Sequence, residues 1–352
     1  MNLKSQPLVS FVTPVYNAED YLAECIESVL AQTYENWEYV VVNNRSTDRS
    51  LEIAQHYAQQ DSRIRIHNND EFLNQFQNWN HAMRQISPES QYCKVVHADD
   101  WLFPECLARM VEVAEAHPSV GIVSAYRLDE NRVDPDGLPY PSTVIPGREI
   151  CRLRLLGGPF VFGSPTSLLI RSDIIRSRET FYDESIIHTD AEVCFNILQD
   201  YDFGFVHQVL TFTRRHNESV TSLTNRFHTR RLANFTIFLR YGPAYLSEEE
   251  YEKRLERVIE NYHRFLVRSV FELKEREFWN YHRNELRKLG YPLSAARLVK
   301  GLFLELLDFR EATRSVRCAI EKKKQETSQD VQKLDTVLSS IYTKENSDGN
   351  SC

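Results

Sequence analysis

"VSFVTPVYNAEDYLAECIESVLAQTYENWEYVVVNNRSTDRSLEIA", residues 9–54, carries the pattern that decides the fold. It opens in an apolar run over 8–16 that reads as a buried strand, and parallel strands covered on both faces show such near-continuous apolar runs. Over 18–34 the period changes. Tyr21, Leu22, Cys25, Ile26, Val29 and Leu30 recur at steps of three and four, the stripe of an amphipathic helix. A second apolar strand is predicted over 37–44, and Ser46 stands where it would cap a second helix over 46–60.

The alternation continues outward from this stretch. Residues 63–68 predict a third strand, 74–86 a helix and 92–98 a fourth strand. A helix over 103–118, bounded by Pro104 and Pro118, leads to a fifth strand over 120–126. Strands alternating with helices through short connections predict an α/β fold, a mostly parallel sheet flanked by helices. Ligands of such sheets sit beyond the carboxyl ends of the strands. Three polar clusters fall at those ends: "TPVYN" at 13–17, "NNRSTD" at 43–48 and "HADD" at 97–100. Farther on, 127–160 reads as a long loop or insertion and 161–175 as a turn and strand. Residues 189–201 predict a helix with acids in its first turn, and 203–216 one strand or two. From about Phe227 the pattern is helical and rich in aromatics, and beyond Lys324 it is polar and reads as disordered.

Composition sets the outer bounds. The chain has 352 residues, is 42% hydrophobic and 26% charged, and carries a formal net charge of −8, as ordinary globular proteins do. Its charge is uneven: residues 252–324 hold 18 Lys and Arg against 11 Asp and Glu, leaving an acidic body and a basic C-terminal region. No apolar run reaches the roughly 18 residues a spanning helix needs. At the N-terminus Pro14 and Asn17 interrupt any signal-peptide core, so a cytoplasmic location is expected. Seven scattered cysteines with no CxxC pair predict reduced, mostly buried thiols rather than disulfides or a zinc site.

The sharpest chemical question lies at Asp99 and Asp100. Adjacent carboxylates at the end of an apolar strand repel one another, a cost that a cation or several donors must neutralise. A helix cap ahead of Pro104 is the plain alternative, but one acid would serve it.

In order and spacing these motifs resemble family 2 glycosyltransferases of the GT-A fold, over roughly residues 7–220. The resemblance implies a Rossmann-like catalytic domain over 1–225, a helical C-terminal extension over 226–324 and a tail over 325–352. It also implies inverting transfer of a sugar from a nucleoside diphosphate, UDP in the first instance, with Mn²⁺ or Mg²⁺. Thr13, Pro14, Val15 and Tyr16 match the strand end that meets the nucleobase. Asn44 stands where relatives carry an acid that pairs with the base imide; an amide can accept that bond too, but the change leaves uracil specificity open. Asp99 matches the metal ligand, with Asp100 bracing it at the metal or the ribose, and both would thereby hold the donor. His97 replaces an acid. Its imidazole can reach Mn²⁺, though a lone histidine at a strand end commonly serves as a structural donor.

Asp190 matches the general base, which takes the proton of the acceptor hydroxyl. Thr189 replaces the usual preceding glutamate, and Glu192 is the reserve candidate; first-turn acids also complement a helix dipole. Arg214 and Arg215 match a basic motif that neutralises the leaving diphosphate, one of the two pointing outward if they lie on a strand. His216 is a candidate third metal ligand. Asn80 matches a helix position near the donor, with Trp79 and His81 replacing small and basic neighbours.

Three other classes compete with this reading. Nucleotidyl transfer would want a glycine-rich basic loop after the first strand, and "TPVYNAEDY" has neither glycine nor base. A non-catalytic module of the same fold is kept open by Asn43, Asn44, His97 and Thr189. A dinucleotide-binding dehydrogenase would need a GxGxxG turn that is absent. The resemblance points to a glycan or lipid-linked acceptor in cell-envelope polysaccharide synthesis and to no nucleic-acid partner. Residues 291–309 form an apolar face beside Arg297 and Lys300, which suits peripheral docking on the inner face of an anionic membrane. Packing against the catalytic domain or a second subunit in a homodimer suits it as well, and Glu305 and Asp308, which interrupt the basic face, favour such packing, on either partner, over membrane docking.

Overall fold

The computed structural model describes residues 6–135, 137–215, 226–272 and 274–307. The expected tail at 325–352 and His216 lie outside them. The chain divides into two units, residues 1–256 and 257–352.

The first unit bears out the α/β expectation. Its elements are β1 (Val9–Val15), α1 (Leu22–Leu30), β2 (Trp37–Asn43), α2 (Ser50–Gln60), β3 (Ile64–Asn68), α3 (Gln75–Met83), β4 (Tyr92–Val95), β5 (Trp101–Leu102), α4 (Cys106–Ala116) and β6 (Val120–Asp129). The expected apolar runs became strands covered on both faces. Val9, Phe11, Val12 and Val15 of β1 and Tyr39, Val40, Val41 and Val42 of β2 are all buried. Leu22, Cys25, Ile26 and Val29 of α1 pack on one face of that sheet.

After β6 come β7 (Arg132–Asp134), β8 (Val144–Ile145), α5 (Gly147–Leu155), β9 (Leu169–Arg171), α6 (Ser172–Arg176), α7 (Thr189–Ile197) and β10 (Asp202–Thr213). The sheet order is β3-β2-β1-β4-β9-β6-β10-β5, with β7 on β6 and β8 on β10. The parallel reading holds for β3-β2-β1-β4 and again for β6 with β10. Between these groups lies β9, antiparallel to both β4 and β6. It falls within the strand expected over 161–175, but three residues are too few for the sequence to show its place or direction in the sheet.

Two local expectations need correction. Residues 127–160 are not one loop: β6 runs on to Asp129 and turns at Glu130, whose φ is 54°, into β7, and β8 and α5 follow. Arg127 holds that hairpin by donating from Nε to Asp134 at 2.9 Å, so polar residues that looked like a loop pair across strands. Ser46 does not cap α2, which begins at Ser50. Its hydroxyl accepts from the Asn17 N–H at 3.1 Å, while Asp48 accepts from the Ser50 N–H at 3.0 Å.

In the second unit Glu305 does not interrupt a basic face. It accepts from Arg264 and Arg268, each at 2.7 Å, which neutralises it. On the same helical stretch, 295–307, Val299, Phe303 and Leu306 are exposed. No helix among the described residues is long and apolar enough to cross a membrane. The five described cysteines are buried and free.

Candidate active site

β1, β2, β3 and β4 run parallel, so their carboxyl ends share one edge of the sheet. Register places Val15 beside Asn43 and Asn43 beside Asn68. There the Asn44 N–H donates to the Val15 carbonyl at 2.8 Å, tying the first two polar clusters together.

The first cluster divides by exposure. The Thr13 hydroxyl is buried and shares a hydrogen bond with the Tyr39 hydroxyl at 2.8 Å. Pro14 is half-buried and Val15 buried, whereas Tyr16 stands out at the strand end with its ring 4.9 Å from that of Phe72. Asn44 is buried and turned inward. Its Oδ1 accepts from Asn69 Nδ2 and from the Leu73 N–H, each at 2.9 Å, and its Nδ2 donates to the Leu73 carbonyl at 2.8 Å. Asn44 thus pins the 69–73 loop, a job an aspartate could do only in part because it has no donor. Among the described residues the buried Asn69 Oδ1 has no partner.

β4 delivers the third cluster. Beyond Val95 the chain stays on the sheet edge through the Val96 N–H on the Val12 carbonyl at 3.0 Å, then turns at His97. The ligand atoms of His97, Asp99 and Asp100 lie within 4.8 Å of one another. Asp100 is buried and held from two sides. Its Oδ2 accepts from the Thr166 hydroxyl at 2.6 Å and its Oδ1 from the Arg214 N–H at 3.1 Å. Burial, and then the charge of Asp99, raises the Asp100 carboxyl to about 6. The Thr166 hydroxyl also accepts from the His97 N–H at 3.1 Å. Below it Lys94, wholly buried, donates from Nζ to the carbonyls of Thr166 and Leu168, and burial lowers its pKa.

The two arginines, which follow the end of β10, go to different partners. Arg214 Nε donates to the Asp99 carbonyl at 3.2 Å, and its guanidinium pairs with Glu24 and lies over the Tyr21 ring. Arg215 is tied away to Asp129 through two bonds of 2.7 and 2.5 Å.

Of the remaining expected residues, Asn80 and Asp190 act on Tyr182. Asn80 accepts from the Tyr182 N–H at 2.8 Å and donates to its carbonyl at 2.9 Å, so its amide braces α3 against that segment. Asp190 is half-buried in the first turn of α7, and its charge acts on Tyr182 and His188. Glu192 is buried. It accepts from Tyr241 and, at 3.1 Å, from Arg240, both on the helix Thr229–Tyr245. The Trp79 indole bridges the two groups, 4.9 Å from the His97 ring and 5.4 Å from Tyr182.

Thr166, Lys94 and Asn69 escaped the sequence reading. A lysine inside the apolar strand "YCKVVHA" was the one visible signal, and its partners are more than 70 residues away. The cluster could hold a divalent cation: two carboxylates and an imidazole supply hard and borderline donors. A buried His97 Nε2 with no hydrogen bond among the described residues fits that use.

An α/β sheet with acidic and polar residues at its carboxyl edge is the framework of nucleotide-sugar enzymes of the GT-A fold. Residues 10–178 match the family model described as glycosyl transferase family 2. Glycosyltransferase GlyG of Streptococcus pneumoniae is 30% identical over 200 residues, 51% of this chain and 64% of that protein. The chain spans between 14% and 64% of the length of the curated relatives it matches. Among solved structures, Staphylococcus aureus TarS 1–349 in complex with UDP-GlcNAc aligns with a TM-score of 0.61 at 17% identity, covering 86% of this chain and 92% of that one. The mannosyltransferase PcManGT of Pyrobaculum calidifontis, in complex with GDP-Man and Mn²⁺, gives 0.51 at 14% identity, covering 87% and 88%.

Proposed function

We propose that this chain is an inverting glycosyltransferase that moves a sugar from a nucleoside diphosphate, UDP being the expected one, to a hydroxyl of a glycan or lipid-linked acceptor. The observation that carries the reading is the convergence of His97, Asp99 and Asp100 at the carboxyl edge of a family 2 domain. The complexes of TarS with UDP-GlcNAc and of PcManGT with GDP-Man and Mn²⁺ support a nucleotide-sugar donor and a divalent metal.

In this reading the base lies against the main chain of 13–16, with Tyr16 beside it. Asn44 shapes the floor by holding the 69–73 loop, and the unpaired Asn69 Oδ1 offers an acceptor to a base N–H. Asp99 and Asp100 would hold Mn²⁺ or Mg²⁺, with His216 a further candidate outside the described residues; a bound cation supplies charge neutralisation for the diphosphate. Arg214, already on the Asp99 carbonyl, is the arginine turned toward the leaving group. Asp190 removes the proton of the acceptor hydroxyl, whose oxygen attacks the anomeric carbon from the side opposite the diphosphate, which inverts that centre. Glu192 is engaged by Tyr241 and Arg240 and serves the site as a strut.

The acceptor is expected at the cytoplasmic face of the membrane, where a growing envelope glycan on its lipid would meet the enzyme. The exposed Val299, Phe303 and Leu306, with Glu305 neutralised by its arginines, support peripheral docking of the C-terminal helices.

Titration calorimetry of UDP and of GDP, with and without Mn²⁺, tests the reading. Binding that depends on Mn²⁺ and disappears in Asp99→Asn supports it, and hydrolysis of sugar donors then names the substrate. Failure of every nucleotide diphosphate to bind would refute it in favour of a non-catalytic module.

A further inference from the structure

The surroundings of His97 give this histidine a definite task. Three observations bear on it. One imidazole nitrogen lies within 4.8 Å of carboxylate oxygens of both Asp99 and Asp100. Its Nε2 is buried with no hydrogen bond among the described residues, an arrangement that costs energy unless something else occupies the atom. The ring is also held in place: the Trp79 indole lies 4.9 Å away at a 33° tilt, and the His97 N–H is tied to Thr166 at 3.1 Å. A fixed ring has little rotamer freedom left to lose on binding a ligand.

We infer that His97 is a direct ligand of the divalent cation and that it turns the site toward borderline transition metals, Mn²⁺ foremost, and away from Mg²⁺. The inference rests on the metal–diphosphate reading above. Imidazole nitrogen suits borderline ions such as Fe²⁺, Co²⁺ and Zn²⁺, and Mn²⁺ accepts it. Mg²⁺ demands a near-ideal octahedron of oxygens and keeps its waters. An imidazole ligand brings no negative charge to the site, so the attraction on which a hard ion depends is weaker there than among three carboxylates.

The test is electron spin-echo envelope modulation of Mn²⁺ bound to the full chain in the presence of UDP. It detects a directly bound imidazole nitrogen and needs no turnover. The expected result is nitrogen modulation in the wild type that survives in His216→Ala and vanishes in His97→Asn. In parallel, competition of Mg²⁺ against the Mn²⁺ signal should show the Mn²⁺-to-Mg²⁺ affinity ratio falling at least about tenfold in His97→Asp, on the scale of losing a group that tunes a metal site. Mn²⁺ bound without nitrogen modulation, or with modulation abolished by His216→Ala alone, overturns the ligand assignment while leaving the metal–diphosphate reading intact. A wild type that binds no Mn²⁺ overturns both. Should the His97 variants fail to fold, wild type and His216→Ala still decide the question.

Discussion

Thr166 connects the candidate metal site to the sheet, and its hydroxyl offers a sharp test. That hydroxyl donates to Asp100 at 2.6 Å and accepts from the His97 N–H at 3.1 Å, and the residue is wholly buried. Thr166→Val keeps the shape and removes both bonds. A hydrogen bond to a charged group contributes about 1.5–3 kcal/mol, and leaving a buried N–H unpaired costs about 1–3 kcal/mol. The combined loss is then about 2.5–6 kcal/mol. Thr166→Ser keeps the hydroxyl and loses one methyl, about 1 kcal/mol with its small cavity. The two variants should therefore differ by at least about 1.5 kcal/mol in urea denaturation, or about 3–6 °C in Tm for a unit of this size. Valine should also weaken Mn²⁺ binding, since Asp100 loses the donor that fixes its Oδ2. If valine matched serine in both stability and Mn²⁺ affinity, the hydroxyl would hold neither Asp100 nor the turn, and the reasoning would be wrong.

Other outcomes follow from the same geometry. Asp190→Asn should lower kcat by about 10²–10⁴ while donor affinity, read by calorimetry, stays near wild type; an unchanged kcat would remove Asp190 as the base. Glu192→Gln should lower stability by about 1–3 kcal/mol through its bonds to Tyr241 and Arg240, yet cost less activity than Asp190→Asn. The raised Asp100 carboxyl sets a pH dependence. The unfolded chain ionises this group near pH 4, so between about pH 4 and 6 the metal-free fold holds the extra proton and loses stability as pH rises, by about 3 kcal/mol in all. Mn²⁺ binds the ionised form, so its stabilising effect on Tm should grow from pH 5 to 7; an effect independent of pH would contradict the burial of Asp100.

Much of the framework was set by local pattern. The continuous apolar runs at β1, β2 and β4 mark strands covered on both faces, and the three- and four-residue spacing from Leu22 to Val29 marks α1, because both signals arise within one element. The same patterns placed "TPVYN", "NNRSTD" and "HADD" at strand ends. Other features required the folded chain. β9 is three residues long and gains its place between β4 and β6 only from two neighbours distant in sequence. Asn44 and Asn80 share a residue type with many ligand-binding amides, but their hydrogen bonds to Leu73 and Tyr182 were decided by how loops pack. The same holds for Lys94 and Thr166, whose meeting spans 72 residues of sequence, and for the choice of Arg214 over Arg215 at the Asp99 edge. Sequence by itself determined which residues could carry charge at the ends of the strands. Tertiary packing decided which of them are spent on holding the site and which stay available to it, since a side chain's partners depend on contacts that local periodicity does not encode.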